Sequence, residues 1–170
     1  MSSILKVDEI QNTDGKTGLV ITPDGSIDSI KFPEEANPSG RVITGTTMSS
    51  YEEGEWVPID ASGAGLSIPI ASASYTRIGR LCYISAYLTY PSTANSSTQS
   101  LGGLPFTAKA AMTYAQLTVR VTSNTVSADN LTFQVATNDT FGVIFNGEVQ
   151  IVNSYISGRG VLISGCYEVA

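Results

Sequence analysis

Between residues 80 and 90 the side chains alternate without a break. Leu81, Tyr83, Ser85, Tyr87 and Thr89 fall on one side of an extended chain, and Cys82, Ile84, Ala86, Leu88 and Tyr90 on the other. Only a strand places every second residue on one face. The same period of two returns downstream. Leu117, Val119 and Val121 oppose Gln116, Thr118, Arg120 and Thr122, and Leu131, Phe133 and Val135 oppose Thr132, Gln134 and Ala136. In the closing stretch, 160–169, Val161, Ile163 and Tyr167 share a face. Residues 141–145 form a short apolar run, and Asn146-Gly147 turns it into 148–152, because Asn-Gly accepts the positive φ of a tight hairpin. A helical turn is expected only over 108–112, and no heptads run through the chain. Seven or eight such strands with turn signals between them predict an all-β fold, an antiparallel β-sandwich or jelly roll, over residues 51–170.

Charge is distributed in a way that bears on partners. Charged residues make up only 14% of the chain, while Ser and Thr account for 39 of 170 positions, so hydroxyls take the place of charge on much of the surface. Residues 1–60 carry a net charge of −7, and residues 61–170 carry nine charged groups with a net charge of +1. A surface that neutral tends to associate, so part of it is expected to lie against other chains. The net charge of −6 and pI near 4.5 disfavour nucleic acid as a partner. There is no His, which excludes Ser-His-Asp and Cys-His catalysis and most zinc sites. No stretch reads as a signal peptide or membrane span, so membrane insertion is not expected. Cys82 and Cys166 have no metal-ligand spacing and are expected as buried, free thiols in strands.

The first 50 residues have a different texture. Short extended pieces at 4–7, 18–22 and 26–30 are separated by turns at 12–16 and 22–25, where Asp-Gly and Pro-Asp-Gly supply the required backbone angles. A Pro-rich linker follows at 32–40. Three small strands with few large apolar groups cannot hold a core alone. This arm of short β-hairpins, residues 1–50, is therefore expected to be ordered by something else: the rest of the chain, a sister subunit or a host particle.

Candidate chemistry is sparse. Glu52, Glu53 and Glu55 beside Trp56 form the densest acidic cluster, but they are neighbours on one strand entry without an identifiable catalytic partner, and solvated charge explains them. Asp14-Gly15 and Asp24-Gly25 lack calcium-loop spacing. No catalytic residue, metal ligand or cofactor is assigned. Tyrosine is the informative enrichment, with Tyr75, Tyr83, Tyr87, Tyr90, Tyr114, Tyr155 and Tyr167 in the β-rich part. A phenol offers a ring for stacking and a hydroxyl for hydrogen bonding. Tyr83, Tyr87 and Tyr90 are the candidate recognition surface, for glycan or protein; the alternative for these rings is packing within the fold or at a subunit interface.

Two stretches resemble modules of tailed-bacteriophage virion proteins, especially fibre-type proteins of marine and cyanobacterial phages. The first is Ile4-Leu5-Lys6-Val7-Asp8-Glu9-Ile10-Gln11 with the Gly-rich repeats ending near Ile30. The second is Tyr51-Glu52-Glu53-Gly54-Glu55-Trp56-Val57-Pro58, then Tyr75-Thr76-Arg77-Ile78-Gly79-Arg80, then Gly103-Leu104-Pro105-Phe106. Glu55 stands where Thr is commoner, and Gly102-Gly103 replaces a more typical Ile/Ser-Gly. The resemblance implies a virion structural protein, commonly trimeric, made in the host cytoplasm. Its arm would dock to other tail or capsid proteins, and its β domain would project for host-surface recognition or adhesion, with host glycan as a possible ligand. A capsid decoration or tail adaptor protein and a glycan depolymerase are the alternatives. In the motifs, Trp56 and Phe106 are expected to fill the core and Gly79 to allow a tight turn.

Overall fold

The computed structural model describes the backbone of four short strands within residues 9–48, together with residues 51–110, 115–122 and 130–170. The chain divides into two compact units, Met1–Tyr51 and Glu52–Ala170. In the first, β1 (Glu9–Gln11), β2 (Thr17–Ile21), β3 (Ile27–Lys31) and β4 (Thr47–Met48) form an antiparallel sheet in chain order. Strands β2 and β3 fall within one residue of the pieces expected at 18–22 and 26–30. The piece expected at 4–7, both turns and the linker over 32–40 lie outside the described residues.

The second unit is all-β and antiparallel. Its strands are β5 (Tyr51–Glu55), β6 (Ile59–Asp60), β7 (Ile70–Ile78), β8 (Leu81–Thr89), β9 (Ser100–Gly102), β10 (Gln116–Thr122), β11 (Leu131–Val135), β12 (Gly142–Asn146), β13 (Val149–Gln150) and β14 (Gly160–Glu168). They join edge to edge in one sheet, in the order β5-β7-β8-β14-β10-β11-β12-β9-β6, with β13 paired to β12 beside that path. The sheet curls into a half-barrel. Its long central ladder is β8 against β14, nine residue pairs from Gly160↔Thr89 to Glu168↔Leu81.

Alternation decides the curl. The expected inward residues of β8, from Cys82 to Leu88, are buried, and so is Tyr90 just beyond the strand. They meet Leu117, Val119 and Val121 of β10, Leu131, Phe133 and Val135 of β11, Ile144 of β12, and Val161, Ile163 and Tyr167 of β14 in one core. Each such side chain contributes roughly 1.5–3 kcal/mol when fully buried. Trp56 lies in this core, and Phe106 packs half-buried at its margin. The β7–β8 turn is Gly79-Arg80, and the β12–β13 turn is Gly147-Glu148, one residue beyond the expected Asn146-Gly147 because Asn146 still pairs with Val149; Gly79 (φ 57°) and Gly147 (φ 63°) take the left-handed conformation that their hairpins require.

Three expectations need correction. The second hairpin arm is shorter than 148–152: β13 ends at Gln150, and Asn153–Ile156 form a 3-10 turn, the only helical element among the described residues. In the stretch 108–112, Ala108 bridges Val169 in extended form; residues 111–114 lie outside the described residues. Cys82 is buried and free as expected, but Cys166, also free, is exposed. The register explains this: Cys166 sits opposite Tyr83 and Tyr167 opposite Cys82, so the two thiols occupy neighbouring strands but opposite faces.

Candidate functional site

The outer face of β7, β8, β14 and β10 is organised by register into rows that run across the strands, because directly paired residues point to the same side. In the central row, Ser74 pairs with Ser85, Ser85 with Ser164, Ser164 with Thr118, and Thr118 with Thr132 of β11. Five consecutive strands thus place a hydroxyl in one line, about 19 Å long at the usual strand spacing. One flanking row is Thr76, Tyr83 and Cys166. The other is Ser72, Tyr87, Leu162 and Arg120. Tyr83 and Tyr87, four residues apart, stand about 13 Å from each other along β8.

Both rings are open to solvent, Tyr83 at 44% and Tyr87 at 40% relative exposure. Tyr87 lies against Gly160: a Cβ built at Gly160 would come within 3.0 Å of its Cε2 and hydroxyl oxygen. The missing side chain therefore leaves the space that the ring edge and the Thr122 hydroxyl occupy. Ile78 and Leu81 extend the apolar part of the face toward the β7–β8 turn, where they pair with one another. Among outward residues of these four strands, Arg120 and Glu168 alone are charged. Glu168 is engaged at the margin, accepting from Lys109 Nζ at 2.6 Å and lying 3.4 Å from Arg80 Nη1. The Lys109 hydrogen bond holds its carboxyl below the ordinary range, with the nearby positive charges acting in the same direction and partial desolvation opposing.

Tyr90 does not belong to this surface. It is fully buried, at 0% exposure, because it continues the inward phase of β8. Its hydroxyl donates to Asn153 Oδ1, and burial raises its pKa well above that of a free phenol. Asn153 Nδ2 in turn donates to Ser62 Oγ (2.9 Å) and Asn95 Oδ1 (2.9 Å). Ser62 Oγ donates to Asp60, whose carboxylate also accepts the backbone N–H groups of Ser62 and Leu66, each at 2.9 Å. Burial, the largest single effect on Asp60, acts to raise its pKa, but these hydrogen bonds together bring it below the ordinary value. Sequence reading missed this polar network. Its hydrogen-bonded partners lie up to 91 residues apart, and no local pattern marks them.

Tyr167, Tyr75 and Tyr155 are engaged within the fold. Tyr167 is buried; its hydroxyl donates to Phe106 O (3.0 Å) and accepts from Phe106 N–H (3.2 Å). Tyr75 meets Phe106 edge to face at 5.4 Å, and the Arg77 guanidinium lies 4.7 Å from the same ring. The Tyr75 hydroxyl donates to Glu52, which raises its pKa. Tyr155 accepts from Asn146 Nδ2 at 3.0 Å. Tyr114 lies outside the described residues. The three motif stretches of the β domain thus converge: Glu52, Tyr75, Arg77 and Phe106 interlock at one margin of the core, close to buried Trp56. Of the acidic cluster, Glu52 is committed to Tyr75 rather than paired with a second carboxylate.

Comparison with protein-family models, with curated proteins and with solved structures found no match.

Proposed function

We propose that this chain is a non-enzymatic structural protein of a tailed-bacteriophage virion, of fibre type. Residues 1–50 dock it to the particle, and residues 51–170 project as a homotrimeric β domain for host-surface recognition or adhesion. We read the curled sheet as a jelly-roll-like domain whose two halves face each other across the single core. The observation that carries this reading is the outer face. Ile78, Leu81, Tyr83, Tyr87 and Leu162 are 36–50% exposed on one rigid, charge-poor surface. Exposed apolar and phenolic side chains gathered on one sheet face offer a contact surface. The interlock of Glu52, Tyr75, Arg77 and Phe106 supports treating the three motif stretches as parts of one module, with packing roles.

Labelled-antibody electron microscopy of virions tests the assignment. Label at the tips of tail fibres is expected; label spread over the capsid would establish the decoration-protein alternative, and unlabelled particles would end the virion reading. Light scattering in dilute neutral buffer should give three times the chain mass of 17.9 kDa. A monomer mass would remove the trimer from the proposal.

A further inference from the structure

The rows of the outer face carry chemistry that core packing does not use. We propose that the hydroxyl row Ser74, Ser85, Ser164, Thr118 and Thr132, flanked by Tyr83 and Tyr87, binds an uncharged polysaccharide laid across the strands. The inference deepens the reading of the domain as a projecting recognition module and names its ligand class.

The flanks supply apolar platforms. The Tyr87 ring reaches over Gly160, which has no side chain to displace it, and stays partly open to solvent. Tyr83 stands in register between the short side chains of Thr76 and Cys166 and is 44% exposed. Aromatic faces stack on apolar C–H surface, and a sugar ring presents such surface on its faces with hydroxyls around its rim. The central row supplies the matching polar groups. Each Ser or Thr hydroxyl both donates and accepts, as each sugar hydroxyl does, and five lie in line about 4.8 Å apart.

Charge selects the ligand further. Arg120 is the only ionic group in the three rows. A carboxylated, sulfated or phosphorylated polymer would find a single cation against a charge on every repeat, whereas a neutral one needs no counter-charge. The same row argues against a second copy as the occupant. A dry protein contact would strip water from five hydroxyls and would need a matched partner for each. A hydroxylated chain brings those partners along its whole length. The platform is also rigid, since every one of these side chains sits on a strand whose opposite face is packed in the core.

The test is affinity electrophoresis of the full chain in native gels containing dextran, mannan or xyloglucan as neutral polymers and alginate as an anionic one. Retardation is expected in at least one neutral gel and not in alginate. Tyr83→Ala and Tyr87→Ala should each weaken it at least about tenfold. Ser85→Ala and Ser164→Ala should weaken it severalfold, and Val149→Ala, exposed on β13, should leave it unchanged. The retarding polymer should also slow iodoacetamide alkylation of Cys166, the neighbour of Tyr83. Unchanged far-UV circular dichroism and thermal midpoint establish that each variant is folded.

Lack of retardation in all three neutral gels overturns the proposal. So does retardation that survives in folded Tyr83→Ala and Tyr87→Ala, or that is equally strong in alginate. If those two variants instead change the mass by light scattering and leave retardation intact, the face is a subunit contact and the proposal falls. Virion labelling and trimer mass are separate readouts. A labelled fibre that binds no neutral polymer removes this inference alone, and a retarded protein absent from virions removes the fibre reading alone.

Discussion

The two faces of β8 make a direct comparison, because they share one backbone and differ only in the phase of the side chains. Inward, Cys82, Ile84, Ala86 and Leu88 are sealed among the rings and aliphatic groups of β10, β11, β12 and β14. Outward, Tyr83, Ser85 and Tyr87 stand open or half-open beside the short side chains of β7 and β14. The inner face is irregular in size and close-packed, so it fixes the fold. The outer face is regular in chemistry and unpacked, so it is available to a partner. A strand of period two can hold a structural and a recognition surface at once, with neither compromising the other.

Thiol reactivity gives the widest separation between the faces. Cys166 should react with iodoacetamide in the native protein, whereas Cys82, buried and with its pKa raised by that burial, should react at least about a thousandfold more slowly until the domain opens. Mass spectrometry of timed aliquots reads both rates; equal rates would mean that the faces are not distinct.

Truncation should show the same asymmetry in stability. Phe133→Ala on the inner face should cost about 3–5 kcal/mol in urea unfolding. Tyr83→Ala on the outer face should cost under about 1 kcal/mol. A comparable loss from Tyr83→Ala would show that the outer face contributes to folding.

Asn153→Ala sharpens the comparison from the polar side of the core. It strands the buried Tyr90 hydroxyl and removes the link to Ser62 and Asn95, so a loss of about 2–3 kcal/mol is expected. Removing both ends with Tyr90→Phe and Asn153→Ala together should cost less than the sum of the two single changes.

The smallest effect concerns the margin of the outer face. The lowered pKa of Glu168 means that its contribution is fully present above the unfolded value, near pH 4.5, and is lost as pH falls through the folded value. The group is exposed, so the Glu168→Gln variant should differ only slightly from the parent above pH 5, and the two melting temperatures should converge on acidification. A difference that grows toward low pH would contradict the assigned partners Lys109 and Arg80.

Much of the all-β architecture was legible in the chain. Alternation at 80–90, 116–122, 131–136 and 160–169 fixed which residues point inward, because a residue's phase on a strand is a local property of the backbone. Turn chemistry was equally local, and Gly79 and Gly147 stand where a positive φ is required. Cys166 and Tyr90 obey the same rule: Cys166 is out of phase with Val161, Ile163 and Tyr167, and Tyr90 is in phase with Cys82 to Leu88, so expecting the first buried and the second on the surface set residue type above phase. Register between strands is the limit of this reading, since a single residue of register moves a side chain to the opposite face. The hydroxyl row shows it more fully. Ser74, Ser85, Thr118, Thr132 and Ser164 are unremarkable one by one, and they form a line only through four separate strand pairings. The network of Tyr90, Asn153, Ser62 and Asp60 likewise joins loops and strands far apart in the chain. Which residues make strands, and which side of each strand is apolar, could be read along the chain, since both follow from nearest-neighbour geometry. Which strands are neighbours, and in what register, emerged with the fold, because hydrogen-bonded pairing between distant segments is set by the packing of the whole core.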